Sequence, residues 1–316
     1  MRHLYIIGNG FDLHHDIWSG FMQYAEWLKI THPDLYTDVM NTYQIDDNTR
    51  LWKDFEHLLG QLEVQYNAAR LAYEHYPDFE KLPDTDSAYD DAGNEYSSTP
   101  TIAQEEFEEF YESIRQSFAE WVMQLNQPNE DKRLPIEGDS KFVTFNYTDV
   151  LESLYHVDQQ DIIYIHGCAK RGNKLILGHG LNEQTIRNSE AFGDANIEDH
   201  IEGGNADHSD WVVGETFETI LHQLLQVRKP VEECMHKLES LWGQCNDIES
   251  IHIYGLSFSD IDLPYIDEIL RHVDMDSIKW EVSYFGEKEK DLFENELLQR
   301  GVPKSQIQMI RLVERT

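Results

Sequence analysis

The sequence predicts an α/β fold: a Rossmann-like, mainly parallel sheet carrying an inserted helical subdomain. Three observations carry that expectation. Short runs rich in β-branched and aromatic residues recur between turn residues. Several of them are apolar throughout, as strands covered on both faces are. They alternate with stretches of three- and four-residue apolar periodicity, the pattern of crossover helices. The runs are Leu4–Ile7, Phe142–Phe145, Ile162–Ile165, Leu175–Leu177, Ile251–Tyr254, Trp280–Tyr284 and Gln308–Leu312.

The helical stretches follow from their spacing. Leu51, Phe55, Leu58, Leu62, Tyr66 and Ala69 mark one apolar face, and Phe107, Tyr111, Ile114, Phe118, Trp121 and Leu125 mark a second. The acidic stretch between them lets the two helices return antiparallel, which predicts a helical insertion over residues 47–126 with an acidic loop at 78–100 in a single domain of 1–316. A third face, from Phe217 to Trp242, is interrupted by Pro230, which should kink the helix or start a new one.

The 316 residues carry 60 Asp and Glu against 25 Lys and Arg, a formal charge of −35. Asp78 to Glu112 holds twelve acidic residues against one basic, and Glu190 to Glu218 nine against none, so two windows account for 20 of the 35 units. Such a chain offers no basic footprint for nucleic acid or an anionic membrane. The 40% of hydrophobic residues still supply a core. Three scattered cysteines make neither a disulfide framework nor a zinc module, and no apolar run approaches membrane-spanning length. A cytoplasmic protein is expected.

Four predicted strand ends carry small or polar residues, and open α/β sheets bind ligands beyond the carboxyl ends of their strands. The first is Gly8-Asn9-Gly10-Phe11-Asp12, ahead of a helix expected near Asp16. Its glycines permit close backbone approach, and its N–H groups suit an anion. Leu13 stands where a third glycine would complete the usual dinucleotide fingerprint. The second is Phe145-Asn146-Tyr147-Thr148-Asp149, where Thr148 or Asp149 suits an N-cap and Asn146 does not. The third, His166-Gly167, offers either a general base or a structural histidine. The fourth is Gly255-Leu256-Ser257-Phe258-Ser259-Asp260, which reads equally well as a helix cap. His179, between Gly178 and Gly180, either lines the same cleft or caps a strand.

Taken together, IIGNGFDL, FNYTDVLESLY, YIHG with LILGHG, and YGLSFSDID resemble the bacterial abortive-infection AbiH family of phage-defence proteins over nearly the whole chain. More distantly, their order resembles sirtuin-like NAD-cleaving domains. That resemblance implies NAD as substrate or ligand. It places Gly8, Asn9, Gly10, Phe11 and Asp12 at a nucleotide-facing turn whose backbone donors hold the pyrophosphate. Asn146, with Tyr147, falls near the nicotinamide ribose, His166 takes the catalytic position, and Gly255, Ser257 and Asp260 face the adenosine side, with Asp12 orienting nicotinamide. Two departures stand out: Thr148 occupies the position of an acid, and Phe11-Asp12 replace a small residue and serine.

The resulting expectation is an antiphage effector that hydrolyses the nicotinamide–ribose bond. The alternative is a nucleotide sensor that binds without cleaving and acts through a partner. A metal-dependent hydrolase would draw on His14-His15-Asp16, His179, or His200 and His208, none at a recognised ligand spacing, so no metal is expected. The insertion, with Leu51, Trp52, Phe118 and Trp121, offers a lid or a homo-oligomer interface.

Overall fold

The computed structural model describes residues 1–46, 51–75, 98–189 and 208–312. In chain order the main elements are β1 (His3–Ile7), α1 (Asn9–His14), α2 (Phe21–Thr31), α3 (Pro33–Thr42), α4 (Val64–His75), α5 (Ser98–Met123), β2 (Ser140–Thr144), α6 (Val150–Ser153), β3 (Ile162–Tyr164), α7 (His208–Gln226), α8 (Val231–Met235), β4 (Ser250–Tyr254), α9 (Leu263–Leu270), β5 (Lys279–Tyr284), α10 (Glu287–Gln299) and β6 (Ile307–Arg311). The chain divides into two compact units, one of Met1–Tyr24, Phe118–Ile176 and Pro230–Thr316, the other of Ala25–Ser117 and Leu177–Lys229.

The first unit holds one six-stranded sheet, every pair parallel, in the order β3-β2-β1-β4-β5-β6. This is the order of a doubly wound nucleotide-binding sheet, with its topological switch between β1 and β4. β1 is central and apolar because both of its faces are covered. Leu4 and Ile6 join Val143, Ile253 and Trp280 in a core completed by α9 and α10. Tyr5 and Ile7 point the other way, onto Phe11, Val150, Leu151 and Tyr155. At roughly 1.5–3 kcal/mol for each fully buried large apolar side chain, these two layers dominate the stability of the unit.

Six of the seven expected strands form. Leu175–Leu177 does not, because its backbone bonds to loops instead: Ile176 N–H donates to the His166 carbonyl, and the Ile176 carbonyl accepts from the Tyr147 hydroxyl. The helix after β1 begins at Asn9 instead of near Asp16, with Gly8 extended at its N-cap. Asp16 instead lies beyond its end, at φ 60°.

The second unit is helical. The periodic face from Leu51 to Ala69 is broken at Gly60, where helix gives way before α4 resumes at Val64. A Cβ at Gly60 would lie 2.9 Å from the His179 ring, so a side chain there would collide with a packed neighbour. Pro230 does separate α7 from α8. Most of the acidic loop, residues 76–97, lies outside the described residues, as do 190–207 of the second acidic window. Trp52, Phe118 and Trp121, offered above for an interface, are buried in the cores of their own units. No helix among the described residues is long and apolar enough to cross a membrane.

Candidate active site at the carboxyl ends of three strands

Asp12, Asn146 and Thr148 meet although 134 and 136 residues separate the first from the other two. β1 and β2 are adjacent and in register, so the turns beyond their carboxyl ends converge. The early start of α1 turns Asp12 inward, leaving it 1% exposed. The Asn146 amide Nδ2 donates to one Asp12 carboxylate oxygen at 2.9 Å, and the Thr148 hydroxyl donates to the other at 2.7 Å. Burial pushes the Asp12 carboxyl up to about 7, against the opposing effect of those two donors. A group with such a pKa carries comparable amounts of both protonation states near neutrality.

The Asn146 backbone N–H is taken by the Thr144 hydroxyl, and its side chain is held by Asp12. Its carbonyl Oδ1 is buried with no hydrogen-bond partner among the described residues. An unanswered buried amide oxygen costs about 1–3 kcal/mol, a cost that a bound donor relieves. His166, 3% exposed, lies just beyond β3. Its Nδ1 donates to the Phe145 carbonyl at 3.3 Å, so in the neutral ring Nε2 carries the lone pair. The ring stacks on Tyr147 at 5.9 Å, and the Tyr147 hydroxyl is anchored on the Ile176 carbonyl at 2.9 Å.

The glycine turn plays a different part from the expected one. Gly8 N–H donates to the Tyr254 carbonyl, Gly10 N–H to the Gly255 carbonyl, and Phe11 N–H back to the Gly8 carbonyl. These donors are therefore spent within the protein and do not offer a pyrophosphate cradle. Gly8 and Gly10 are needed for contact with the β4 turn: a Cβ at Gly8 would lie 2.6 Å from the Gly255 oxygen, and one at Gly255 would lie 2.0 Å from the Phe11 nitrogen. Gly255 itself adopts φ 69°, where glycine alone is unstrained.

The remaining expected residues are dispersed. Asn9 Nδ2 donates to the Ser19 carbonyl, and its Oδ1 accepts from the Ser19 hydroxyl. The Ser257 hydroxyl donates to the Asp262 carboxylate at 3.0 Å, and Asp260 is exposed. His179 belongs to the helical unit, where Nε2 donates to the Leu224 carbonyl and Nδ1 accepts from Leu181 N–H, so both ring nitrogens are engaged. Asp149 occupies the N-cap position of α6, but its carboxylate pairs with Lys170 instead of capping. His14 bonds the Lys132 carbonyl, and Asp16 pairs with Lys132. His200 and the side chain of His208 lie outside the described residues. No group of three or more His, Cys, Asp or Glu suited to a metal ion is found among the described residues.

Two features had no signal in the sequence. Thr148 emerges as a ligand of Asp12, and His15 forms a buried support behind it. His15 Nδ1 donates to the Phe11 carbonyl at 2.6 Å, and Nε2 accepts from the Tyr155 hydroxyl at 2.7 Å. Burial lowers this imidazole to about 4. A small cleft of about 40 Å³ adjoins the site, lined by Tyr147, Thr148, Asp149 and Lys170 on one side and by Asn126, Gln127 and Pro128 on another.

A parallel sheet in this order, with polar side chains converging beyond its central strands, defines a Rossmann-like α/β protein with a candidate ligand site at its carboxyl edge. The family model for bacteriophage abortive infection AbiH matches residues 4–284, a span that includes the whole cluster. The chain belongs to the AbiH family, which places it in phage abortive infection. No curated protein matches it.

Proposed function

We propose that this AbiH protein binds NAD beyond β1, β2 and β3 and hydrolyses the nicotinamide–ribose bond. The observation that carries the reading is the buried Asn146 carbonyl oxygen, left without a partner among the described residues while Asp12 fixes the rest of the amide. Such an oxygen suits a ribose hydroxyl or an attacking water as donor. Cleavage develops oxocarbenium-like charge at the anomeric carbon, as in glycoside hydrolysis. In this scheme the carbon–nitrogen bond breaks with its electron pair going to nicotinamide. Water adds to the anomeric carbon, and its proton goes to His166 Nε2. The products are nicotinamide and ADP-ribose.

The two departures from the sirtuin-like pattern lend this reading support. The acid that Thr148 displaces has a counterpart in Asp12, the very residue that replaces serine in the first motif, and the two side chains are hydrogen-bonded. A carboxyl group thus remains beside the asparagine, supplied by another strand end.

The sensor reading has an observation of its own. The cleft of about 40 Å³ accommodates water, whereas small-molecule pockets occupy roughly 300–1,000 Å³. In this reading a dinucleotide displaces a wall of the cleft as it binds, which separates binding from cleavage. Following free nicotinamide while titrating NAD distinguishes the two readings. Release by the wild-type protein, lost in Asn146→Ala and His166→Ala, supports hydrolysis; saturable binding with no release on long incubation supports a sensor.

A further inference from the structure

The sheet carries a second polar cluster, outside the site described above. On the Tyr5 face of β1, β4 and β5, His3 lies opposite Ser250, and His252 lies opposite Glu281. The Ser250 Oγ is 2.7 Å from His252 Nε2, and His252 Nδ1 is 3.2 Å from a Glu281 carboxylate oxygen. His3 Nδ1 sits 2.8 Å from the same Ser250 Oγ. The Tyr254 hydroxyl also donates to Glu281.

A neutral His252 is compatible with these contacts. Glu281 accepts only, so His252 carries its proton on Nδ1 and presents the Nε2 lone pair to Ser250. Ser250 donates its proton to Nε2 and accepts from His3 Nδ1–H. The donors His252 and Tyr254 hold Glu281 below the usual carboxylate range, which keeps it ionised. The His252 ring is fixed by stacking on Tyr5 at 4.3 Å and 8°. Nucleophile, base and orienting carboxylate therefore stand in hydrogen-bonded sequence.

Access separates this cluster from a sealed core network. The His252 side chain keeps 12% and Glu281 26% of their surface in solvent, and Ser250 is half-buried. The apolar core on this face gathers around Tyr5, Ile7, Phe142, Ile162 and the helices α1 and α6.

We propose that Ser250, His252 and Glu281 form a second reactive site, in which Ser250 attacks small acyl esters. The Ser250 oxygen forms a bond to the acyl carbon while its proton passes to His252 Nε2. The carbon–oxygen bond to the alcohol breaks, and the alcohol leaves with that proton. Water then cleaves the acyl-serine, passing a proton to His252, and Ser250 is regenerated with release of the carboxylic acid. Glu281 orients and stabilises the imidazolium without taking its proton.

The test uses the full chain and a fluorophosphonate probe, which forms an oxygen–phosphorus bond with loss of fluoride. One adduct per chain is expected, on the peptide containing Ser250, together with slow hydrolysis of p-nitrophenyl acetate. Labelling at that peptide should vanish in Ser250→Ala and slow about 100-fold or more in His252→Gln. Absence of the Ser250 adduct in the wild-type protein overturns the proposal, as does an unchanged labelling rate in folded His252→Gln. Neither readout depends on NAD cleavage, so the two sites succeed or fail separately.

Discussion

At the scale of single residues, Asp12 and His15 set opposing pH responses three positions apart. Asp12 has a folded pKa near 7 against an ordinary 3.8, so its contribution to stability is full at low pH and is lost as pH rises through 7. His15 is depressed from 6.5 to about 4, so its contribution is full above 6.5 and is lost as pH falls toward 4. Between about 4 and 6.5 the two slopes offset each other. Thermal melts of Asp12→Asn should therefore gain stability steeply from pH 4 to 6.5, and melts of His15→Gln should lose it from pH 4 to 7. The upper bound on each slope is roughly 1.4 kcal/mol per pH unit. Parallel pH profiles for the wild type and both variants would refute these assignments. In the proposed reaction, Asn146→Ala and His166→Ala should each lower nicotinamide release by about 100-fold or more while leaving the melting temperature within a few degrees.

Residues also mark where sequence reading stops. Asn146 and His166 stand out as polar groups after apolar runs, where a strand end in an α/β sheet exposes them to a ligand. Thr148 as partner of Asp12 was not legible, because the pairing depends on β1 and β2 becoming neighbours across an insertion of more than a hundred residues. Nor was the fate of His179 legible: its glycine neighbours suggest a turn, but both ring nitrogens are consumed by backbone groups brought in by α7 and by Leu181.

Among elements, β1 was readable because a strand buried on two faces must be apolar, whereas β5 and β6, with burial on alternate or few positions, were readable from β-branched and aromatic residues between turns. Leu175–Leu177 is also apolar and largely buried, yet it joins no ladder among the described residues. Apolarity reports burial and does not by itself report a ladder. The glycine turns illustrate a related ambiguity, since close approach to a ligand and close approach to another loop call for the same residue. At Gly255 the loop contact is decisive: Gly255→Ala places a methyl group against the Phe11 nitrogen at a left-handed backbone position. We expect a loss of about 3 kcal/mol or more in chemical denaturation. A second prediction concerns the cleft wall. Asn126 ties it down, donating to the Asp16 carbonyl at 2.7 Å and accepting from Trp18 N–H at 3.0 Å. If NAD enters by displacing this wall, Asn126→Ala should tighten NAD binding by about fivefold to tenfold in calorimetry, the equivalent of about 1 kcal/mol. Unchanged or weaker binding would argue for another entrance.

For the whole molecule, the charge of −35 sets a background of self-repulsion. Screening should relieve it, so the melting temperature is expected to rise as sodium chloride increases from about 20 to 500 mM at neutral pH, where the Debye length falls from about 20 Å to a few ångströms. A flat or falling curve would show that the ion pairs, such as Lys132–Asp16 and Arg171–Glu152, outweigh the repulsion. The same charge bears on ligand capture. With the Gly8, Gly10 and Phe11 donors spent, an anionic ligand has fewer means of overcoming the field than the sequence suggested.

The position of β1 at the centre of the sheet has a consequence for synthesis. Its two partners begin at Ser140 and Ser250, so the strand made first receives its second neighbour nearly last. At about 5–20 residues per second, translation takes roughly 12–50 s to reach β4 after β1 emerges. Asp12, Asn146 and His166 are all polymerised well before that, but the Gly255 clasp that seats the first turn is not. The ribosome thus delivers the candidate catalytic residues of this defence protein ahead of the backbone that locks them in place, and a nascent chain lacks that lock until β4 and the turn after it have been made.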